Sequence, residues 1–129
     1  MLSGSSNESA DEQRILVVED SGLVAHALEM MLRDLGYEVL GPAPTSDAAI
    51  ALLNGEPPRA ALLDLYLADS TSQAVASALL ERRIPFALLT GRLGPAPASM
   101  GEAPVLTKPV DRRQLASTLA ELCGQRVVG

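Results

Sequence analysis

Five short apolar segments alternate along the chain with segments in which apolar residues recur every three to four positions. The short segments consist mainly of Val, Leu, Ile and Ala, and Gly, Pro or charged residues bound them, a pattern typical of strands buried in a sheet. The longer segments have the spacing of amphipathic helices. The predicted strands are residues 14–18, 37–40, 60–67, 86–90 and 104–107.

Four helices are predicted between and after these strands. The first is capped by Ser21 and stops at Gly36, and the second starts at Thr45 or Ser46 and runs to residue 53. The third helix starts with a capping box at 70–73 and ends near residue 83. The last helix starts with a capping box at 111–114 and ends before Gly124. Residues 91–103 hold several Gly and Pro and no apolar stripe, so a helix between the last two strands is predicted to be shortened or missing.

This alternation predicts an α/β fold with a doubly wound, five-stranded parallel sheet. The apolar run 60–67 carries one charge, Asp64. Periodicity alone leaves a buried helical turn open for this run, but the proline and charged residues around it favour a strand. A carboxylate there is costly unless it lies where the strand emerges into solvent. Asp64 is therefore a candidate functional residue.

Composition limits the classes of function. The chain has 129 residues, the size of one domain, and 47% are hydrophobic but only 2% aromatic, so the core must be aliphatic. The net charge of −6 argues against nucleic-acid binding, and no apolar stretch is long enough to cross a membrane. Residues 1–12 lack the pattern of a secretory signal, and the lone Cys123 fits a reducing, cytoplasmic location. We expect a disordered leader at 1–13, one domain at 14–124 and a tail at 125–129.

Distinctive polar residues follow four of the predicted strands. The first strand ends in Glu19 and Asp20, the third in Asp64, the fourth in Thr90 and the fifth in Lys108, the only lysine of the sequence. Ligand sites of open parallel sheets lie beyond the carboxyl ends of the strands, so these side chains should meet. Crowded carboxylates favour a hard cation, best Mg²⁺, which often shares its site with a phosphoryl group. A hydroxyl and an ammonium suit the remaining phosphoryl oxygens.

Over about residues 14–122 the chain resembles response-regulator receiver domains. The motifs are Val-Val-Glu-Asp at 17–20, Leu-Leu-Asp-Leu at 62–65, Leu-Thr-Gly at 89–91 and Lys-Pro at 108–109. Each motif is weak alone, but their order, their spacing and their common place at strand ends make the set specific. The resemblance implies the flavodoxin-like receiver fold.

The resemblance also implies roles for the site residues. Asp64 would accept a phosphoryl group from a phosphohistidine of a histidine kinase or a histidine phosphotransfer protein. Glu19, Asp20, Asp64 and the backbone carbonyl of Tyr66 would hold Mg²⁺. Thr90 and Lys108 would contact the phosphoryl group, with a cis bond between Lys108 and Pro109. The protein would be a switch rather than a classical enzyme, with self-catalysed phosphorylation and dephosphorylation, and it would signal through a downstream protein partner or serve as a phosphate sink or relay.

Two departures from the family pattern bear on how such a switch would work. Most receivers carry an aromatic residue three positions before the lysine, and this chain has Val105 there. The segment before the last strand is also short. With residues 85–91, these features resemble the stand-alone FAT GUY subgroup of receivers, although Leu88, Leu89 and Arg92 differ from its motif. A stand-alone receiver without an output domain is therefore expected.

Three alternatives compete with this interpretation. Taken alone, Glu19 and Asp20 would fit a solvated loop. Tyr66 fits a residue at the rim of the site better than a catalytic acid, and His26 fits an exposed helix residue better than a phosphate relay. The whole domain could be a receiver-like module that no longer switches and holds a partner constitutively. A phosphatase with an aspartyl nucleophile is disfavoured, because such enzymes need a second Asp two positions later and Tyr66 stands there.

Overall fold

The computed structural model describes residues 13–67, 72–91 and 100–128. The strands of this part are β1 (Arg14–Val18), β2 (Glu38–Ala43), β3 (Ala60–Asp64), β4 (Phe86–Thr90) and β5 (Val105–Thr107). Its helices are α1 (Gly22–Asp34), α2 (Ser46–Leu53), α3 (Gln73–Glu81) and α4 (Arg112–Val128).

All four strand pairings are parallel, and the strand order is β2-β1-β3-β4-β5. The predicted doubly wound, five-stranded α/β sheet is thus confirmed. The order reverses between β1 and β3, which lie side by side although β2 separates them in the chain. The carboxyl ends of these two strands therefore form the topological switch point, where sheets of this kind bind ligands.

Two hydrophobic clusters fill the two faces of the sheet, because successive strand residues point to opposite sides. In one cluster, alternate residues of the central strands pack against α2 and α3. In the other cluster, the strand residues in between pack against α1 and α4. In β1, for example, Leu16 belongs to the first cluster and Val17 to the second. Every residue of β3 and β4 is buried, so Asp64 and Thr90 end strands that have no solvent-facing side.

Strand β2 differs from the prediction, which ended it at residue 40. It continues through Gly41 and Pro42 to Ala43, with an irregular register opposite β1 and a cis bond between Gly41 and Pro42. Gly-Pro typically marks a turn, but β2 is an edge strand, and an edge strand tolerates the missing amide hydrogen of proline. The extension has a use at the site, since the amide of Glu19 donates to the carbonyl of Ala43 at 3.0 Å.

The helix starts largely match the predictions, and the ends differ in two places. Ser21, Thr45 and Asp111 each accept a hydrogen bond from the backbone amide three residues later. Helix α3 stops at Glu81, and α4 continues past Gly124 to Val128, so the predicted stop at this glycine is wrong. A single glycine costs a helix only about 1 kcal/mol, which the packing of a long helix can offset.

Some predictions fall outside the described residues. These are the leader, apart from Gln13, and residues 92–99, where a helix was expected to be shortened or missing. Residues 70 and 71 of the predicted capping box also lie outside, and in the described part α3 is preceded by Ser72, which makes no side-chain cap. The helices of the described ranges include none with the length and hydropathy needed to cross a bilayer.

Substituting Gly41 with alanine should destabilise the protein by about 1–3 kcal/mol. Gly41 has a φ of +97°, and an added Cβ would lie 2.8 Å from the Ala43 nitrogen and 3.1 Å from the Val17 carbonyl oxygen. Gly124→Ala is the control, because an added Cβ would meet nothing beyond the backbone of its own helix within 4 Å, and alanine favours a helix. Urea unfolding should show opposite shifts for the two variants, and equal midpoints would contradict this account of β2.

Candidate functional site

The acidic residues of the site come from the two strands at the switch point. Val18 of β1 pairs with Leu63 of β3, so the residues that follow, Glu19 and Asp64, emerge next to each other. Both are almost fully buried, with 2% and 4% of their surface exposed. Strand order therefore brings together two carboxylates that are 45 positions apart in the sequence, the difference between 64 and 19.

Carboxylate oxygens of Glu19, Asp20 and Asp64 all lie within 4.8 Å of one another. Asp20 is the most exposed of the three, so the cluster opens to solvent on its side. Three oxygen ligands at this spacing, with an open side for water, fit the preference of Mg²⁺ for oxygen donors and retained water. The predicted residues thus form a group that can hold the cation.

Lys108 lies directly against the two buried carboxylates. Its Nζ is 3.2 Å from Asp64 Oδ2, to which it donates a hydrogen bond, and 3.0 Å from Glu19 Oε1. The second contact is an ion pair without hydrogen-bond geometry, and no other polar group in the described residues satisfies this buried oxygen. The backbone amide of Lys108 donates to the carbonyl of Thr90 at 2.8 Å, and the bond to Pro109 is cis, as the family resemblance implied.

Charge and burial act in opposite directions in this cluster. Burial raises the pKa of Glu19 and the neighbouring Asp64 adds to this effect, which outweighs the opposite influence of Lys108 and of the Ser21 amide, 3.1 Å from Oε2. Burial lowers the pKa of Lys108, but Glu19 and Asp64 raise it more, so the net shift is upward. The lysine is thereby kept charged, and the Glu19 carboxyl group takes up a proton more readily than a free glutamate does.

The other predicted site residues surround Asp64. Thr90 ends β4, the strand next to β3, and only 4% of it is exposed. The backbone amide of Tyr66 donates to Asp64 Oδ1 at 3.2 Å, while its side chain is 54% exposed and lies at the rim. His26 is exposed on α1, as predicted. The two oxygens of Asp64 therefore have different partners, a backbone amide on Oδ1 and an ammonium on Oδ2.

Sequence reasoning missed one residue close to this group. Ser72 precedes α3, is completely buried, and donates its hydroxyl to the carbonyl of Leu65, next to Asp64. Serine in a polar stretch before a helix indicates only a cap, so the sequence held no signal for this contact.

Comparison with known proteins identifies the family. No family model matches the chain. The response regulator PhyR from Brucella abortus has a similar structure, with a TM-score of 0.76, 29% identity, and 96% of this chain but 54% of PhyR covered. SdrG from Sphingomonas melonis Fr1 has a TM-score of 0.75 and 35% identity, and the match covers 85% of this chain and 95% of SdrG. This chain belongs to the response-regulator receiver family.

The receiver also resembles a longer protein of Mycobacterium tuberculosis. It is 31% identical over 84 residues to the transcriptional regulatory protein PdtaR, covering 64% of this chain and 41% of PdtaR. The receiver thus spans less than half the length of this curated relative and about half that of PhyR. A second solution structure of SdrG, with 36% identity and a TM-score of 0.74, is described as its BeF3-activated conformation.

Replacing Lys108 with methionine should destabilise the metal-free receiver by about 3 kcal/mol near neutral pH, because two buried carboxylates would lose their shared cation. The loss should grow with pH. Because its folded pKa is raised, Glu19 contributes stability that is fully present below its unfolded pKa of 4.5 and is lost as pH rises through the folded value. Lys108 lowers the folded pKa of Glu19, so removing Lys108 should increase the stability that Glu19 loses as the pH rises. The contribution of the Lys108 charge itself stays constant over this range, which lies well below its unfolded pKa of 10.5.

Urea unfolding of both proteins between about pH 4.5 and 8 in chelator-treated buffer measures this difference. Arg33→Met is the control, since it removes an exposed ion pair with Glu29 and should cost less than about 0.5 kcal/mol at every pH. A destabilisation by Lys108→Met that stays constant over the range would contradict the coupling of Lys108 to Glu19.

Proposed function

We propose that the receiver accepts a phosphoryl group on Asp64 from a phosphohistidine and works as a two-component switch. The observation that carries the proposal is the environment of this carboxylate. Asp64 is buried at the end of β3, Lys108 binds one of its oxygens, and two more carboxylates lie within 4.8 Å. A structural aspartate would gain nothing from this crowding, because like charges at such distances repel.

The transfer is an in-line displacement at phosphorus. A carboxylate oxygen of Asp64 attacks, the bond from phosphorus to the donor imidazole nitrogen breaks, and that nitrogen keeps the bonding electrons and takes a proton. The product is an acyl phosphate. In dephosphorylation a water molecule attacks phosphorus, the bond to the Asp64 oxygen breaks, and inorganic phosphate leaves. Both steps depend mainly on positioning and on charge neutralisation.

The site needs added positive charge for this chemistry. The three carboxylates outnumber the one ammonium, and an incoming phosphoryl group is itself anionic. Glu19, Asp20, Asp64 and the carbonyl of Tyr66 would hold Mg²⁺. Bound there, the cation would neutralise charge on the phosphoryl oxygens and orient them. Lys108 would keep a charge-assisted hydrogen bond to the phosphorylated side chain, and the buried Thr90 hydroxyl would supply a neutral donor from β4.

A histidine kinase or histidine phosphotransfer protein is the proposed donor. Once phosphorylated, the receiver would signal by binding a downstream protein. Alternatively, it would act as a phosphate sink or relay, as in the FAT GUY subgroup. SdrG supports a response to the phosphoryl analogue, since one of its structures is described as BeF3-activated. Binding of nucleic acid or of membranes forms no part of the proposal.

Incubation with acetyl phosphate and Mg²⁺ should add one phosphoryl mass to the intact protein, and Asp64→Asn should abolish the addition. Asparagine has nearly the same shape but is not a nucleophile for this reaction. Mass spectrometry of the intact protein measures the result. An unchanged mass of the wild-type receiver, with a donor that phosphorylates a control receiver, would contradict the proposal.

Asp20→Asn is a matched control that separates site chemistry from stability. It removes one of three crowded carboxylates, so in metal-free buffer the variant should be at least as stable as the wild type. It should nevertheless incorporate phosphate more slowly, because Mg²⁺ loses a ligand. Phosphorylation of this variant at the wild-type rate would contradict the assignment of Asp20 as a metal ligand.

A second candidate is a receiver-like module that binds its partner without switching. The observation in its favour is Val105, a half-buried residue of β5 at the position where most receivers carry an aromatic residue. Valine packs with the cluster on the α2 and α3 side of the sheet, so it has no large side chain to turn inward. Under this candidate the site would change only locally on phosphorylation.

Titration with fluoroberyllate, followed by NMR, distinguishes the two candidates. If the receiver switches, Thr90 is drawn towards the analogue and resonances of Gly91 and of β5 residues should shift, well beyond the immediate contacts of Asp64. Shifts confined to residues within the acidic cluster would support the non-switching module. Asp64→Asn should show neither set of shifts.

A further inference from the structure

The hydroxyl of Ser72 is a buried polar group that the proposed chemistry does not use. Ser72 is fully buried and lies immediately before α3, where a serine usually caps the helix by accepting a backbone amide hydrogen. Here its side chain makes no such bond. It donates instead to the carbonyl oxygen of Leu65 at 3.2 Å, and the backbone amide of Ser72 donates to the same oxygen at 3.3 Å.

The carbonyl of Leu65 and the amide of Tyr66 belong to one peptide unit, which is planar. The amide end of this unit donates to Asp64 Oδ1 at 3.2 Å. Ser72 therefore fixes one end of a rigid group whose other end holds the carboxylate. The unit before it is also held, since the Leu65 amide donates to the carbonyl of Leu89 in β4 at 2.9 Å.

We infer that Ser72 is a positioning residue for Asp64, acting through the peptide unit between Leu65 and Tyr66. Two donors on the carbonyl oxygen polarise the unit, which makes its amide hydrogen a better donor to the carboxylate. The rotation of that carboxylate about its own axis is then set by Tyr66 on Oδ1 and by Lys108 on Oδ2.

The inference rests on the proposed function, because orientation of Asp64 matters most for an in-line attack. Without the Ser72 hydroxyl the peptide unit keeps only the backbone donor at 3.3 Å and can rotate more freely. The carbonyl of Tyr66, the proposed metal ligand of the next peptide unit, would lose its fixed direction as well. Removing a group that orients a metal ligand typically lowers metal affinity or activity about 10- to 100-fold. Because Ser72 acts through a peptide unit, we expect an effect of about tenfold.

The test compares Ser72→Ala with Val75→Ala in the full chain. Val75 is fully buried in the first turn of the same helix and packs in the same hydrophobic cluster as Leu65, but its side chain has no hydrogen-bond donor, so its truncation loosens α3 without removing a donor to the peptide unit. Two quantities are measured: the NMR shift and hydrogen-exchange rate of the Tyr66 amide without any phosphodonor, and the rate of phosphorylation by acetyl phosphate with Mg²⁺.

Ser72→Ala should move the Tyr66 amide resonance upfield, speed its exchange, and slow phosphorylation by about tenfold. Val75→Ala should change none of these at a pH and temperature where both variants are folded. Ser72→Thr keeps the hydroxyl and should restore the Tyr66 signal. If Ser72→Ala does not fold, Ser72→Cys, which leaves no cavity and is a much weaker donor, takes its place.

An unchanged Tyr66 amide in Ser72→Ala, or the same change in Val75→Ala, would overturn the inference. This amide is observed without phosphorylation, so it decides the role of Ser72 independently. If the wild-type receiver takes up no phosphate at all, the proposed function fails, and the amide result still stands for or against positioning.

Discussion

The contact of one ammonium with two buried carboxylates is the constraint around which this receiver is organised. Lys108 reaches Glu19 and Asp64 from β5, across β4, so the contact requires all the central strands to end at the same level. Buried charges of like sign are tolerated only when paired, and here the pairing comes from a single lysine. The parallel order of the sheet is what places the three side chains together, since no two of them are neighbours in the sequence.

The same arrangement leaves the site with an excess of negative charge. Stability alone would favour an apolar or neutral group at these positions, so the crowding of three carboxylates indicates a function that uses their charge. In the proposed function, a divalent cation would neutralise the carboxylates, and a phosphoryl group would pair with the cation and with Lys108. The Tyr66 amide, whose peptide unit is in turn held by Ser72, would orient Asp64 for the proposed reaction.

Much of this structure follows from local patterns in the sequence. The apolar runs marked the strands, and their polar ends identified Asp64, Glu19 and Lys108, because the topology of parallel sheets dictates where such ends meet. Three features were not predictable in this way. Gly41 and Pro42 locally indicate a turn, yet the edge of the sheet accepts them within β2. Gly124 indicates a helix end, yet α4 continues through it. The contact of Ser72 with Leu65 depends on how a loop folds back, which no sequence spacing encodes.

Transfer of a phosphoryl group from a histidine to Asp64 is the step on which the whole proposed function depends. It is tested most directly by mixing the receiver with a histidine kinase phosphorylated on its histidine and reducing the product with borohydride, which converts an aspartyl phosphate into homoserine. Peptide mapping then locates the modified residue. Homoserine is expected at position 64, with Glu19 and Asp20 left unmodified. Homoserine at Asp20, 2-amino-5-hydroxyvaleric acid at Glu19 (the product of a reduced glutamyl phosphate), or loss of phosphate from the kinase with no modification at Asp64 would contradict it.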